Sequence, residues 1–169
     1  EKIVSHKKFM QLHRQVYQQI VMETEQPEIV HVHVAMKAGL FARELKKRYG
    51  IPYVITEQWT GYFKAAKPNI YGMGFMFRLL TKSVLKNASL LLPVSNYLGE
   101  VINKEIATVP YKAVPNVVDT SVFFPAPVPQ NNVLQLVHVS IMGYQKNMEA
   151  MINALQLYKS RGGKFILQV

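Results

Sequence analysis

Apolar runs of strand length alternate with helical segments along most of this chain, and this alternation limits the fold more than any other feature. Residues 29–34, 52–56 and 89–94 are such runs, and a segment with apolar residues at helical spacing follows each of them. Strands joined through helices lie parallel in one sheet, with the helices packed on its faces. The pattern therefore predicts an α/β fold with a doubly wound, Rossmann-like parallel sheet.

Apolar spacing and end signals predict the helices of this sheet. They cover residues 8–22, 37–49, 75–87 and 96–106. Gly50 supplies the stop signal of the second helix, and Ser95 is placed to cap the fourth. Residues 58–74 are expected to form a loop. An opening strand and a glycine turn are expected ahead of the first helix, so we expect this chain to be a piece of a longer protein.

A change of composition after Asn116 predicts a domain boundary. Residues 117–132 include three closely spaced prolines, which fit neither a helix nor a central strand. We expect a semi-rigid interdomain linker there. Residues 1–116 then form most of an N-terminal domain that ends in a short strand at 112–114.

A second α/β pattern begins after the linker. The sequence predicts a strand at 133–140, a helix at 148–158 and another strand at 164–169. One βαβ unit cannot cover both faces of a sheet. We therefore expect residues 133–169 to be the truncated start of a second Rossmann-like domain.

The charge of the chain is uneven. The net charge is +10, and the stretch 58–99 contains no acidic residue while supplying five of the basic ones. Those five are Lys64, Lys67, Arg78, Lys82 and Lys86. The stretch is also rich in aromatic residues and methionine, so it fits acidic lipid headgroups or a phosphorylated ligand. The competing interpretation is a core helix with a solvated basic face.

Residue content excludes several classes of protein. The chain has no cysteine, which excludes a disulfide scaffold, a thiolate metal site and a cysteine nucleophile. No apolar run approaches the length of a membrane span. His31 and His33 share a strand face, but no third ligand is placed near them in the sequence, and packing is favoured over a metal site. Gly72 and Gly74 do not fit the dinucleotide-binding pattern.

Two motifs carry the most chemical information. The first is PNVVDTSVFFP at 115–125, and the second is LVHVSIMGYQKN at 136–147, a strand and a loop that lead into a helix. An anion bound at such a turn meets backbone N–H groups and the positive end of the helix dipole. Lys146 adds a point charge there. We therefore predict a phosphate contact in preference to a solvated lysine.

These motifs resemble those of the family 4 retaining glycosyltransferases, which have the GT-B fold, and especially members that assemble bacterial cell-surface polysaccharides. The resemblance extends over nearly the whole chain and is most specific at 115–125. The other matching segments are 29–35, 50–57, 93–98 and 139–155. The resemblance implies an acceptor-side N-terminal domain followed by a nucleotide-sugar-binding domain.

Three positions depart from the pattern of that family. Gln58 stands where the family often has a histidine that contacts a sugar, and Ile141 stands where a diphosphate-binding arginine is usual. Val117 replaces a glycine of the crossover motif. Lys146 is the retained cation of the pair that binds the donor diphosphate.

The resemblance implies that the parent protein transfers a sugar from a nucleotide-sugar donor to a saccharide or lipid-linked acceptor with retention of configuration. It implies donor-diphosphate binding by Lys146, with no cofactor or metal, and it leaves the catalytic residues unassigned. The other implied site residues are Ser140, Gly143 and Asn147 in the donor loop, Glu57 and Gln58 beside the sugar or acceptor, and Asn116 and Asp119 in the interdomain crossover.

The resemblance also implies a cytoplasmic enzyme of cell-envelope synthesis, with peripheral contact to the anionic inner membrane and no nucleic-acid partner. The chain by itself is expected to be inactive, because half of the donor site is missing. Two alternatives stay open at this point. One is a basic module that binds nucleic acid or membrane, and the other is a GT-B-like nucleotide-sugar epimerase.

Overall fold

The computed structural model describes residues 2–125 and 133–169. Along the chain its helices and strands are α1 (Lys2–Glu23), β1 (Val30–His33), α2 (Ala38–Tyr49), β2 (Tyr53–Glu57), α3 (Phe75–Asn87), β3 (Leu90–Pro93), α4 (Asn96–Glu105), β4 (Leu134–Val137), α5 (Met148–Ser160) and β5 (Phe165–Gln168). Short 3₁₀ turns lie at Thr60–Tyr62, Ile70–Gly72 and Tyr144–Lys146. The chain divides into two compact units, residues 1–116 and residues 117–169, which we call unit 1 and unit 2.

Unit 1 is built on a three-stranded parallel sheet in the order β1–β2–β3. Val32 pairs with Ile55, and Ile55 pairs with Leu91. All three side chains are buried on one face of the sheet. Because each pair of strands is joined through a helix, the strands run parallel. The α/β, Rossmann-like fold predicted from the alternation of strands and helices is confirmed.

Local sequence signals set most helix ends in unit 1. Gly50 ends α2 in the left-handed conformation, with φ of 74°, and its N–H donates to the carbonyl oxygen of Lys46. The Oγ of Ser95 accepts a hydrogen bond from the N–H of Leu98 at the start of α4. Helix α1 begins at Lys2, earlier than the predicted start at residue 8. Residues 2–7 contain no glycine or proline that would interrupt a helix.

The strand predicted at 112–114 is present only as an isolated bridge between Leu91 and Tyr111. The N–H of Lys112 donates to the carbonyl oxygen of Leu91, so this segment does run along β3. Pro110 and Pro115 flank the segment and have no N–H to extend the ladder. The prediction of a strand was therefore wrong in extent, although its position beside the sheet is as expected.

The core of unit 1 lies on one face of the sheet. Tyr53 and Leu91 are fully buried there, and the Tyr53 hydroxyl donates to the carbonyl oxygen of Val84 in α3 at 2.5 Å. Alternate residues of a strand point to the opposite face. On that face His31 is exposed and Val54 is half-buried. The described helices therefore cover mainly the Tyr53 face.

Unit 2 contains one parallel βαβ unit, made of β4, α5 and β5. Strand β4 is shorter than the predicted 133–140: it ends at Val137, and the N–H of His138 donates one further hydrogen bond to the carbonyl oxygen of Gln168. Gly162, with φ of 87°, follows the end of α5. None of the described residues of unit 2 is buried. The helix and the two-stranded sheet of unit 2 therefore pack together without enclosing a buried core among the described residues.

Across residues 2–125 and 133–169, no helix has both the length and the apolar character needed to span a bilayer.

Candidate functional site

The carboxyl ends of the parallel strands in unit 1 meet at one edge of the sheet, which is where α/β proteins bind ligands. Loops leave this edge after β1 at Val34, after β2 at Gln58 and after β3 at Val94. The N–H of Val34 donates to the carbonyl oxygen of Thr56, and the N–H of Val94 donates to that of Glu57. The three loops therefore start side by side. We call this region the carboxyl edge of unit 1.

Glu57, the last residue of β2, organises the carboxyl edge although its side chain is fully buried. Its Oε2 accepts hydrogen bonds from the N–H of Ala35 at 3.0 Å and from the hydroxyl of Tyr62 at 2.9 Å. Its Oε1 accepts from the N–H groups of Gln58 and Trp59 at 3.0 and 2.9 Å. Four donors thus replace water around the carboxylate. They tie the loop after β1 to the loop after β2.

Tyr62 and Trp59 pack against each other beside this carboxylate. Burial, followed by the charge of Glu57 and the hydrogen bond to it, raises the pKa of the Tyr62 hydroxyl well above its usual value. The hydroxyl therefore stays protonated and keeps donating to Glu57. The rings of Trp59 and Tyr62 meet edge to face at 5.3 Å between centroids. Gly61 is required between them, because a Cβ there would lie 2.1 Å from the Trp59 ring.

Val34, at the start of the loop after β1, has a φ of 64°. A β-branched residue adopts this left-handed conformation only at a steric cost. The hydrogen bonds from the N–H of Val34 to Thr56 and from the N–H of Ala35 to Glu57 hold it in place. Strain of this kind concentrates at functional sites. No sequence signal could have located this turn, since glycine and asparagine are the usual residues at positive φ.

The two residues that were predicted to contact a sugar or acceptor differ in their exposure to solvent. Glu57 has no exposed surface, and both of its carboxylate oxygens are occupied. Its position suits it to hold the two loops rather than to touch a ligand. Gln58 is exposed at the carboxyl edge, and its side chain makes no hydrogen bond to any described residue. Of the two, Gln58 is the one that a ligand can reach.

His31 and His33 lie together on β1, with their ring centroids 4.4 Å apart. The Nε2 of His31 is 2.7 Å from the Oγ1 of Thr56, so one ring already has a hydrogen-bond partner on the sheet. Among the residues that the structure describes, no three His, Cys, Asp or Glu side chains come together in a way that could hold a metal ion.

The loop after β4 in unit 2 carries the residues predicted to bind the donor. The Oγ of Ser140 accepts a hydrogen bond from the N–H of Met142 at 3.0 Å and lies 2.7 Å from the Nε2 of His138. Met142 has a φ of 49°. Ser140 therefore shapes the loop in this structure, and its hydroxyl is engaged within the loop.

Lys146 ends the 3₁₀ turn that links this loop to α5. Its N–H donates to the carbonyl oxygen of Gly143 at 2.9 Å, and its exposed ammonium group has no partner among the described residues. Asn147 caps α5, since its Oδ1 accepts from the N–H of Ala150 at 3.3 Å. One helix-terminal N–H is thus already occupied, and Glu149 adds a negative charge to the first turn. The positive charge available to an anion at this position is therefore mainly that of the Lys146 ammonium group, and less that of the helix end.

The two crossover residues differ in what they do. The side chain of Asn116, the last residue of unit 1, is exposed and makes no hydrogen bond to a described residue. The Oδ1 of Asp119 accepts from the hydroxyl of Ser121 at 2.6 Å and from its N–H at 2.9 Å. These hydrogen bonds, the hydroxyl first, lower the pKa of Asp119. Residues 126–132 of the predicted linker lie outside the described residues.

Comparisons with known proteins agree with this arrangement. No curated protein sequence matches the chain. Among solved structures, sucrose-phosphate synthase from Thermosynechococcus elongatus matches with a TM-score of 0.74 and 14% sequence identity over 95% of this chain. The chain spans 40% of the length of that structure. At such low identity the likeness shows a shared GT-B fold.

The sequence profile of Glycosyltransferase Family 4 matches residues 5–122. This range includes the whole carboxyl edge of unit 1 and the turn at Asp119, and it ends before the loop after β4. Because the match covers well over half of its residues, the chain belongs to Glycosyltransferase Family 4.

Proposed function

We propose that the protein containing this chain transfers a sugar from a nucleotide-sugar donor to a saccharide or lipid-linked acceptor, with retention of configuration at the anomeric carbon. The observation that carries this proposal is membership of Glycosyltransferase Family 4. The matched residues include the carboxyl edge of unit 1, where parallel sheets bind ligands. We assign the acceptor to unit 1 and the nucleotide sugar to unit 2, with residues 117–132 as the linker between the two domains.

Lys146 is the residue of unit 2 that we assign to the donor diphosphate. Transfer breaks the bond between the anomeric carbon and the diphosphate oxygen, and negative charge grows on the departing nucleoside diphosphate. A cation that meets this charge stabilises the transition state more than the ground state. The exposed ammonium group of Lys146, with no partner among the described residues, suits this role. Ser140, Gly143 and Asn147 shape the loop that presents it.

In unit 1 we assign the acceptor contact to Gln58 and a positioning role to Glu57. The exposed amide of Gln58 offers both a donor and an acceptor to a sugar hydroxyl. The buried carboxylate of Glu57 holds the backbone of Gln58 and of the loop after β1. Asn116 and Asp119 are assigned to the crossover between the domains, where Asp119 closes a turn on Ser121.

The setting of the reaction is part of the same proposal. The motif resemblance supports bacterial cell-surface polysaccharide assembly by a cytoplasmic protein at the inner membrane. We further propose that the 169-residue chain alone is inactive, because unit 2 contains one βαβ unit and a donor site of this fold class needs a larger sheet.

The role of Lys146 is tested in the longer protein by replacing it with alanine. We expect kcat to fall by roughly a hundredfold, as when a single group that stabilises transition-state charge is removed. Lys159→Ala is the matched control, because it removes an exposed lysine at the other end of α5. Equal kinetics of the two variants would remove Lys146 from the mechanism.

The reaction class needs a separate measurement. The longer protein is incubated with nucleotide sugars and a saccharide acceptor, and the anomeric configuration of the product is read by NMR. Product with the configuration of the donor supports the proposal, and an inverted product contradicts it. Interconversion of nucleotide sugars without acceptor would instead identify an epimerase. Turnover by the 169-residue chain alone would overturn the assignment of that chain as inactive.

A further inference from the structure

The first two turns of α3 expose large apolar side chains to solvent. Phe75 is 70% exposed, Met76 61% and Leu79 48%. Their spacing places them on one side of the helix, while Thr81, Val84 and Leu85 of the same helix are buried. The helix is therefore anchored to unit 1 at its C-terminal half and presents an apolar surface at its N-terminal half.

Two cations border this apolar surface. Arg78 and Lys82 lie one helical turn apart and line, with Phe75 and Leu79, a cleft of about 340 Å³. Neither cation has an acidic partner within the described part of the chain. Glu105 also lines the cleft.

The acidic character of that cleft is offset. Glu105 is paired with Lys64 at 3.3 Å. The stretch from residue 58 to residue 99, which includes all of α3, contains no acidic residue at all. Arg78 and Lys82 thus border the apolar surface of α3 with positive charge, which is the complement of an anionic surface.

A helix that exposes both apolar and cationic side chains is suited to bind at a membrane surface. Apolar side chains enter the boundary between headgroups and acyl chains, while adjacent Lys and Arg side chains contact anionic headgroups. Nucleic-acid binding depends mainly on the cations, whereas a lipid surface uses both the cations and the exposed Met76 and Leu79. The position of Phe75, Met76 and Leu79 beside Arg78 and Lys82 suits a helix lying on the membrane surface.

We propose that the face of α3 formed by Phe75, Met76, Arg78, Leu79 and Lys82 docks unit 1 onto an anionic phospholipid bilayer. We call this set the α3 face. This docking rests on the setting at the inner membrane proposed above but not on the reaction, so loss of vesicle binding would leave the proposal of glycosyl transfer untouched. It goes beyond the earlier expectation for the whole stretch 58–99 by naming the side chains that insert and those that meet headgroups.

The charge component is tested with the 169-residue chain and vesicles of phosphatidylcholine, with or without phosphatidylglycerol. Binding should need phosphatidylglycerol and should weaken as salt is added. The double variant Arg78→Gln with Lys82→Gln should bind about thirtyfold more weakly, because each cation near an anionic surface contributes roughly fivefold. Lys159→Gln with Arg161→Gln removes the same charge from exposed positions of unit 2 and should bind much as the parent does. Equal weakening in both double variants would overturn the proposal.

The apolar component is tested with Phe75→Ser and Met76→Ser combined. We expect binding to weaken by about tenfold, since two large apolar side chains no longer leave water. Leu12→Ser with Met22→Ser is the control, because both positions are exposed apolar residues of α1. Circular dichroism verifies that each variant is folded. A loss that is the same in the control pair would contradict insertion of the α3 face.

A third measurement does not depend on variants that weaken binding. The chain has no cysteine, so Met76→Cys introduces a single site for a polarity-sensitive fluorophore. Its emission should shift to the blue on anionic vesicles, while the same label at Met22→Cys, a position 79% exposed, should not respond. No shift at residue 76 would overturn the proposal. So would a concentration-dependent shift without vesicles, which would assign the α3 face to a second copy of the chain.

Discussion

Unit 1 and unit 2 use the same local construction, parallel strands joined through helices, yet they differ completely in burial. In unit 1 the three-stranded sheet supports a contiguous core that includes Tyr53, Ile55 and Leu91. In unit 2 two strands and one helix leave every described residue at least partly exposed. The buried fraction of the surface rises with size. The comparison teaches that a βαβ pattern specifies connectivity, whereas the number of packed layers decides whether a core exists.

The turns at the carboxyl ends of the two sheets differ in the same way. In unit 1 the turn after β2 is built around a buried carboxylate with four donors. In unit 2 the loop after β4 is largely exposed, and its hydrogen bonds include those to the Ser140 hydroxyl and those within the 3₁₀ turn. A turn that is packed against a core holds its side chains in place, while an exposed loop can adjust to a ligand. This contrast suits the assignment of a preformed acceptor edge and an adaptable donor loop.

The comparison is tested most strongly by removing the two side chains that organise these turns. Glu57→Ala leaves four donors without their acceptor, two of them from Ala35 and Tyr62 in the protein interior. We expect the free energy of unfolding of unit 1 to fall by at least ~3 kcal/mol. Ser140→Ala should cost about 1 kcal/mol, because its hydroxyl is half-buried and water can replace the exposed hydrogen bond from Met142. Trp59 is the single tryptophan and lies in unit 1, so its fluorescence during urea unfolding measures the loss of stability caused by Glu57→Ala. Similar small losses in both variants would break the comparison.

The cores themselves are compared by shortening equivalent leucines in the two sheets. Leu91→Ala removes a fully buried side chain of β3 and should cost about 3 kcal/mol. Leu136→Ala acts on a half-buried position of β4 and should cost about 1 kcal/mol. Amide hydrogen exchange measures both, since it resolves the opening of each unit. Slow exchange throughout unit 2, equal to that of unit 1, would contradict the absence of a core there.

Alkaline pH should produce the smallest and most specific effect, confined to unit 1. Burial raises the pKa of Tyr53 to about 12, and that of Tyr62 well above its usual value. Unfolded tyrosine loses its proton near pH 10, so the stabilisation is present below that pH and is lost as the pH rises toward the folded-state pKa values. The unfolding midpoint of unit 1 should therefore fall above about pH 10, and Tyr62→Phe should reduce this dependence. A midpoint that is equally pH-dependent in Tyr62→Phe would contradict the role of Tyr62.

Several features were predictable because they depend on neighbours in the chain. Gly50 ends α2 and Ser95 caps α4, since both signals act within one helical turn. The apolar runs appear as strands in the expected order. The extent of pairing near Tyr111 was not predictable from local spacing, because it depends on which backbone groups meet β3 between Pro110 and Pro115.

The candidate site was predictable in position and only partly in detail. The carboxyl edge follows from the strand order, so Glu57 and Gln58 were located correctly at the end of β2. Their opposite exposures follow from the pairing of β2 with its two neighbours and from the donor of Tyr62 five residues later. The positive φ of Val34 carries no sequence signal at all.

The sequence by itself determined the parallel α/β architecture, the family and the basic, aromatic character of the stretch that includes α3. It did so because periodicity, motif spacing and charge are properties of residues close together in the chain. The tertiary structure alone decided that Glu57 is buried and Gln58 exposed, and that Phe75 and Met76 face solvent beside Arg78 and Lys82. Burial depends on which distant segments pack against a residue, and local patterning does not contain that information.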